Sequence, residues 1–355
     1  MKVLLLIALA VLNTCSIVPL GDGDRRITAR ELGAEVAVPT LDELSARLTD
    51  LRQACETFAT KVTLPSLRDA QAAWRAARVP WKQADAFGFG PATDLRLTAA
   101  MDQPVEFSKV EEEVSGTGVI SEDAVTDLGA NRKGFHALEY LLFGPNQAAQ
   151  LAMFTAEPRR RALALAYAQN LESRGKELRA AWTGEQDLLA HPGAANETYV
   201  TVADSLDAFV NESVFLAELA ADARLGKPSG TATGGVPQLD LVESRPSDNS
   251  LADLTNTLRG IRNVYFGSLD GTPGKGIGKL ILAASPSTDR EVRELLAASL
   301  AAVAAIPSPY EAALEAHAPE IEVALTQLKE LKTILATEVV GVLGATLKFN
   351  DNDGD

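Results

Sequence analysis

The 355-residue chain reads as all-α, and three observations predict it. Aromatic residues make up only 5% while Ala and Leu abound, a mixture that favours helices over a β-sandwich. Apolar residues recur at spacings of three and four along most of the chain. No stretch reads as a strand. A composition of 46% hydrophobic and 23% charged residues is that of a soluble globular protein. At this length the core is large, and roughly two domains are expected.

The elements follow in order. Met1-Lys2 precedes an unbroken apolar run from Val3 to Leu12, too short to span a bilayer and suited to an export signal over 1–20. Leu12-Asn13-Thr14-Cys15 resembles a lipobox, with Thr14 where Gly, Ala or Ser is usual. The chain is therefore expected to be exported, either lipid-anchored through Cys15 or free in the periplasm. Residues 21–38 are polar and irregular and read as a tether. From Leu41 the pattern turns helical through Leu44, Leu48, Leu51, Cys55 and Phe58, with Thr40 and Glu43 as a capping box. A second helix begins near Pro65, carries Leu67, Ala70, Trp74 and Ala77, and is expected to end at Val79-Pro80. Residues 84–122 read as loops and short helices.

A helix over 134–143 should stop at Gly144-Pro145. Long helices are expected over 157–185 and 197–224, separated by a turn at His191-Pro192-Gly193. Residues 227–237 (Lys-Pro-Ser-Gly-Thr-Ala-Thr-Gly-Gly-Val-Pro) are the clearest linker. They would divide the chain into an N-terminal bundle, 39–226, and a C-terminal bundle, 238–355, with an acidic tail. Helices are expected at 250–265, 289–305, 309–316 and 319–343, with a Gly-rich loop at 270–278.

Lys plus Arg total 33 against 48 for Asp plus Glu, a formal charge of −15. Such a surface repels phosphate backbones, which argues against nucleic acid as a partner, and is compatible with cations. Two cysteines, Cys15 and Cys55, exclude a four-Cys zinc site or a disulfide framework, and Cys55 reads as an inert core thiol. The three histidines are His136, His191 and His317.

The most informative stretch runs from Asn131 to Gly144. On a helix His136 and Glu139 share a face, so an imidazole nitrogen and a carboxylate from one turn can approach one metal ion. Nitrogen plus oxygen ligation suits iron, zinc or manganese without choosing among them. The same spacing also arises in a surface pair or in a core His bonded to an acid. Two ligands are too few, and Glu56, Asp85, Asp94 and Glu106 are the candidates for more. There is no His-Glu-x-x-His and no Gly-x-Ser-x-Gly. Gly274–Lys279 lacks P-loop spacing, and Asn350–Asp355 begins like a calcium loop without its closing acid. Trp74 and Trp81 read as core anchors, with Arg78 between them free to stack on indole or to hold Glu139 ionised. Ser244, Ser247 and Asn249 could cap the helix that follows.

Gly134-x-His136-x-x-Glu139, continuing into Tyr140-Leu141-Leu142-Phe143-Gly144, resembles the signature of the imelysin family of exported bacterial proteins. Three further blocks are similar in the expected order: Trp74–Trp81 with Phe87–Pro91, Val242–Ser250 with Tyr265–Gly267, and Phe349–Asp355. Pro246 stands where an aromatic residue is expected. The resemblance implies two helical halves with the motif near their junction. It implies His136 and Glu139 as metal ligands, with Arg78, Trp81, Glu243, Ser244 and Ser247 lining the same cleft. It implies iron, or alternatively zinc or another divalent ion, and an envelope iron-transport system as partner. Iron binding in uptake is the expected role. The alternative is a metallopeptidase, for which Glu139 could not be both ligand and general base.

Overall fold

A computed structural model describes residues 21–144 and 146–347, and among them there is no β-strand. The export signal at 1–20, its Cys15, and the acidic tail with the block 349–355 lie outside the described residues. Among the described residues no helix is long and apolar enough to cross a membrane.

The chain opens with α1 (Asp22–Glu31), which runs through a π-helical segment (Leu32–Ala37) into α2 (Val38–Thr60). The tether expected over 21–38 is thus corrected to a helix. Ala29, Leu32, Val36 and Ala37 are buried, and α1 packs on three later helices. That apolar spacing was masked by the charged residues around it. The expected capping box fails for the same reason: the helix is already under way, and the Thr40 hydroxyl donates back to the Val36 carbonyl at 2.7 Å.

The next helix, α3 (Leu64–Ala84), is opened by a Thr63–Ser66 capping box. It does not end at Pro80. Proline in a helix interior costs about 3 kcal/mol. Burial of Trp81 and Ala84 on the continuing turns offsets this, at about 2 kcal/mol for a large apolar side chain. Short helices follow, α4 (Leu97–Asp102) and α5 (Phe107–Ser115), then α6 (Phe135–Leu142). The 33-residue α7 (Pro158–Ala190), about 50 Å long, packs along α2, which also packs on α3.

After α8 (Val202–Glu218) a second π-helical segment, Leu219–Gly226, leads into residues 227–237. These are not a free linker. Pro228 and Gly230 are buried, and turn hydrogen bonds such as Thr231 N–H to Gly226 O (3.2 Å) fold the segment on itself. Beyond it come α9 (Ser250–Phe266), α10 (Ile277–Ala284), α11 (Pro286–Ala305) and α12 (Pro319–Ile334). The Gly-rich stretch is a loop only as far as Gly276. Helices from both sides of 227–237 share one buried apolar cluster, with α9 packed on α3 and α8, and α12 on α8.

The crossing of α9 with the end of α3 is the contact that positions the site. It is close because Gly260 faces it: a Cβ there would stand 2.5 Å from the Gln83 carbonyl oxygen and 3.2 Å from Ala86 Cβ. By contrast Gly184 in α7 has nothing within 4 Å of its would-be Cβ. Gly184→Ala is therefore expected to stabilise the protein by about 0.5–1 kcal/mol through helix propensity. Gly260→Ala should destabilise it by about 2 kcal/mol through the clash. Denaturant titration of the two variants checks the opposite signs.

Candidate metal centre

One face of α3 carries Trp74, Arg78, Trp81 and Lys82, and all four are buried. Trp74 and Trp81 are the core anchors expected. The Trp74 indole N–H donates to the Phe135 carbonyl at 3.0 Å, and Trp81 packs on the Phe135 ring at 5.8 Å. The Trp81 Nε1 has no hydrogen-bond partner, so this residue supplies packing and no polar contact. Arg78 is fully buried, 5.5 Å from the Trp74 ring and 5.1 Å from the Phe135 ring.

The motif helix α6 begins at Gly134, whose φ of +89° suits glycine. A Cβ here would lie 2.4 Å from the Met101 carbonyl oxygen. The missing side chain lets the end of α4 lie against the start of α6. Asp102 is thereby placed with Oδ1 3.3 Å from His136 Nε2. The opposite ring nitrogen, Nδ1, is 2.9 Å from Glu139 Oε2. The other Glu139 oxygen accepts from the Ser247 N–H at 3.0 Å and from its hydroxyl at 2.6 Å.

The turn that brings Ser247 is closed by Asp248 N–H to Arg245 O and Asn249 N–H to Ser244 O. Pro246 takes its second position, where proline is favoured, which accounts for its presence. Ser244, at φ +49°, donates to Asp253 Oδ2 at 2.6 Å. Asn249 donates to Asp253 Oδ1 at 2.9 Å. Neither caps α9, because Asp253 on its first turn takes both side chains.

Charges gather around these groups. The Arg78 guanidinium meets Asp253 through Nε (3.2 Å) and a terminal nitrogen (2.7 Å), Glu243 at 3.2 Å, and Asp102. The Lys82 ammonium meets Asp102, Glu243 Oε1 at 2.7 Å, and Asp85 at 3.7 Å. Arg224, delivered by the π-helical segment after α8, reaches Glu243 Oε2 at 3.0 Å and Asp85 at 3.7 Å. Burial alone would raise the Asp102 and Glu243 carboxyls. The adjacent cations outweigh it: Arg78 and Lys82 at Asp102, and Arg224 with Lys82 at Glu243, hold both below the ordinary carboxylate value. Burial would likewise lower the His136 imidazole, but its bond to Glu139 and the Asp102 charge raise it.

Asp102, His136 and Glu243 each offer a donor atom, and these atoms lie within 4.8 Å of one another. Two carboxylates and an imidazole are a donor set that suits iron, manganese or zinc. Of the cleft residues read from sequence, Glu243, Ser244 and Ser247 come together here with Arg78. Arg78 does not approach Glu139 as expected. The cation beside Glu139 is Arg75, which also donates to Ser247 O at 2.7 Å.

Asp102 was missed. It ends a short helix in a stretch without periodicity, and the one signal was Gly134, whose need for a close backbone neighbour says nothing about which. Of the proposed extra ligands only Asp85 adjoins the cluster, through Lys82 and Arg224. Glu56 pairs with Arg52, Glu106 bonds Asn131, and Asp94 lies near Glu185. His191 pairs with Asp187 on the surface. Cys55 is buried, and burial pushes its thiol up to about 12, in keeping with an inert core residue.

Comparison with known proteins bears on this site. The imelysin family model matches residues 37–335. Iron-regulated protein A of Synechococcus elongatus is 28% identical over 299 residues, covering 82% of this chain and 79% of the relative. Two crystal structures share the fold. An iron-regulated protein A precursor from Parabacteroides distasonis has a TM-score of 0.79 at 22% identity, over 92% of this chain and 96% of its own. An imelysin-like protein from Psychrobacter arcticum has a TM-score of 0.77 at 14% identity, over 94% and 99%.

The charge cluster has one further acid at its edge. Desolvation, with Asp85 nearby, pushes the Glu212 carboxyl from 4.5 up to about 8. The folded state then holds a proton that the unfolded state has lost across that window. Its contribution to stability therefore falls as pH rises from about 4.5 to about 8. Glu212→Gln should flatten the decline, gaining roughly 4 kcal/mol over the parent at pH 8 and almost nothing at pH 4.5. Denaturant titrations at a series of pH values read the difference.

Proposed function

The chain belongs to the imelysin family, and on that footing we propose that it is an exported metal-binding protein. Its ion is cargo, iron in the first instance, carried as part of uptake. The observation that carries this reading is the convergence of His136 Nε2, Asp102 and Glu243 around one point at the edge of the buried cluster. Glu243 is the most exposed of the three, with 23% of its side chain open to solvent, and stands at the mouth.

In this reading Glu139 orients the imidazole. Its carboxylate takes the Nδ1 side of His136, leaving Nε2 directed to Asp102 and Glu243, and Ser247 holds the carboxylate in turn. This is the arrangement in which an acid behind a ligating histidine sets tautomer and ring angle. Iron is favoured over other divalent ions by the names of the relatives, iron-regulated protein A, since the donor set alone does not choose. Delivery to an envelope iron-transport system follows from the same reading.

Binding is favoured over peptide hydrolysis by the occupancy of the nearby acids. Hydrolysis needs a carboxylate free to take a proton from metal-bound water. Both oxygens of Glu139 are engaged, and Asp102, Glu243 and Asp253 are each held by cations. Export is supported by the apolar run Val3–Leu12 and by the precursor form of the Parabacteroides relative. Lipid attachment would be at Cys15.

Calorimetric titration of the full mature chain, purified without a His tag, should show one Fe(II) bound per chain under anaerobic conditions. His136→Ala, Asp102→Asn and Glu243→Gln should each weaken binding by at least a hundredfold. Glu139→Gln should weaken it by about 10–100-fold, as for a residue behind the ligand. Equal affinity in the parent and in His136→Ala would remove the proposal.

A further inference from the structure

Resting on that reading of the site, we infer that Lys82 is an internal cation competing with the metal for Asp102 and Glu243. Metal enters by exchange with the Lys82 ammonium, which withdraws towards Asp85.

The argument begins with how the two buried cations are held. Arg78 is a fixture. Its planar guanidinium is bonded to Asp253 through two nitrogens, lies within 3.5 Å of the Ser244 hydroxyl, and is enclosed by the Trp74 and Phe135 rings. A rigid fork so placed cannot leave without breaking the framework. Lys82 is held differently. Its ammonium is a compact charge on a flexible four-carbon stem, and each of its partners is a carboxylate. Two of these, Asp102 and Glu243, belong to the donor set with His136, and Lys82 shares the Glu243 Oε1 that stands 3.9 Å from His136 Nε2.

The third partner, Asp85, lies one helical turn along at 3.7 Å, outside the donor set. Asp85 gives the ammonium a second acceptor, so Lys82 can move away from a divalent ion and remain paired. A divalent ion and an ammonium cannot sit side by side on the same two carboxylates without strong mutual repulsion. Exchange lessens that repulsion, leaving only Arg78 on both acids, and keeps the buried acids paired in both states. A cargo protein gains from this, because an ion that must displace a tethered competitor is held less tightly and is released when the competitor returns.

The test uses the full chain with Co(II) as probe, followed by its visible absorption, together with melting temperatures with and without the ion. Lys82→Met should bind Co(II) at least tenfold more tightly than the parent. It should melt lower without metal, because Asp102 and Glu243 lose a counter-charge, and show a larger rise on adding Co(II). A lysine of purely structural importance would lower both melting temperatures alike. Lys82→Arg, whose charge is bulkier and less mobile, should bind at least tenfold more weakly, and Asp85→Asn several-fold more weakly. Folded Lys82→Met with parental or weaker affinity overturns the proposal. Should Lys82→Met not fold, unchanged affinity in both Lys82→Arg and Asp85→Asn overturns it. In either case parental binding that still depends on His136 leaves the metal-site reading intact. Binding independent of His136 removes both.

Discussion

The buried guanidinium of Arg78 joins four segments that are otherwise remote in the chain. It projects from α3 and binds the end of α4 through Asp102, the turn after residue 242 through Glu243, and the first turn of α9 through Asp253. Those partners are 24, 165 and 175 residues away along the sequence. Burying a charge of either sign alone is strongly unfavourable, so the cation and the three acids are stable only together. Removing one partner of such a group typically costs about 3–5 kcal/mol. The donor atoms near His136 are therefore held by the same ion pairs that hold the helices together.

Around that core, backbone shape decides which side chains arrive. Gly134 leaves room for the Met101 carbonyl, and Asp102 follows into reach of His136. The π-helical segment Leu219–Gly226 ends in a turn that presents Arg224 to Glu243 and Asp85. Short π segments are uncommon and recur where a helix must re-aim a side chain. Gly260 sets the approach of α9 to α3, and with it the distance from Arg78 to Asp253. Each adjustment is small, and together they bring five acids and four cations, Arg75, Arg78, Lys82 and Arg224, around a single imidazole.

The crevice is a charged interior around one oriented imidazole. Glu139 and Ser247 fix the imidazole, the two arginines fix the acids, and Lys82 is the least constrained of the charged groups. Without these cations the buried acids would be protonated. The formal net charge of −15 adds a long-range field that favours cations over anions.

Local pattern determined a good part of this protein. Helical periodicity is written in each segment, so the all-α class, the positions of the long helices and the shared face of His136 and Glu139 were legible without coordinates. Trp74 and Trp81 as anchors followed from their spacing, and Arg78, Glu243, Ser244 and Ser247 as neighbours only from the family resemblance. The identity of the groups facing His136 did not. Asp102 lies in an aperiodic stretch, and Lys82 lies beyond a proline expected to end its helix. Whether an acid meets an imidazole or an arginine depends on how helices cross, and crossings are set by close approaches such as those at Gly134 and Gly260. Those contacts join residues far apart in the chain, and only packing of the whole core decides them.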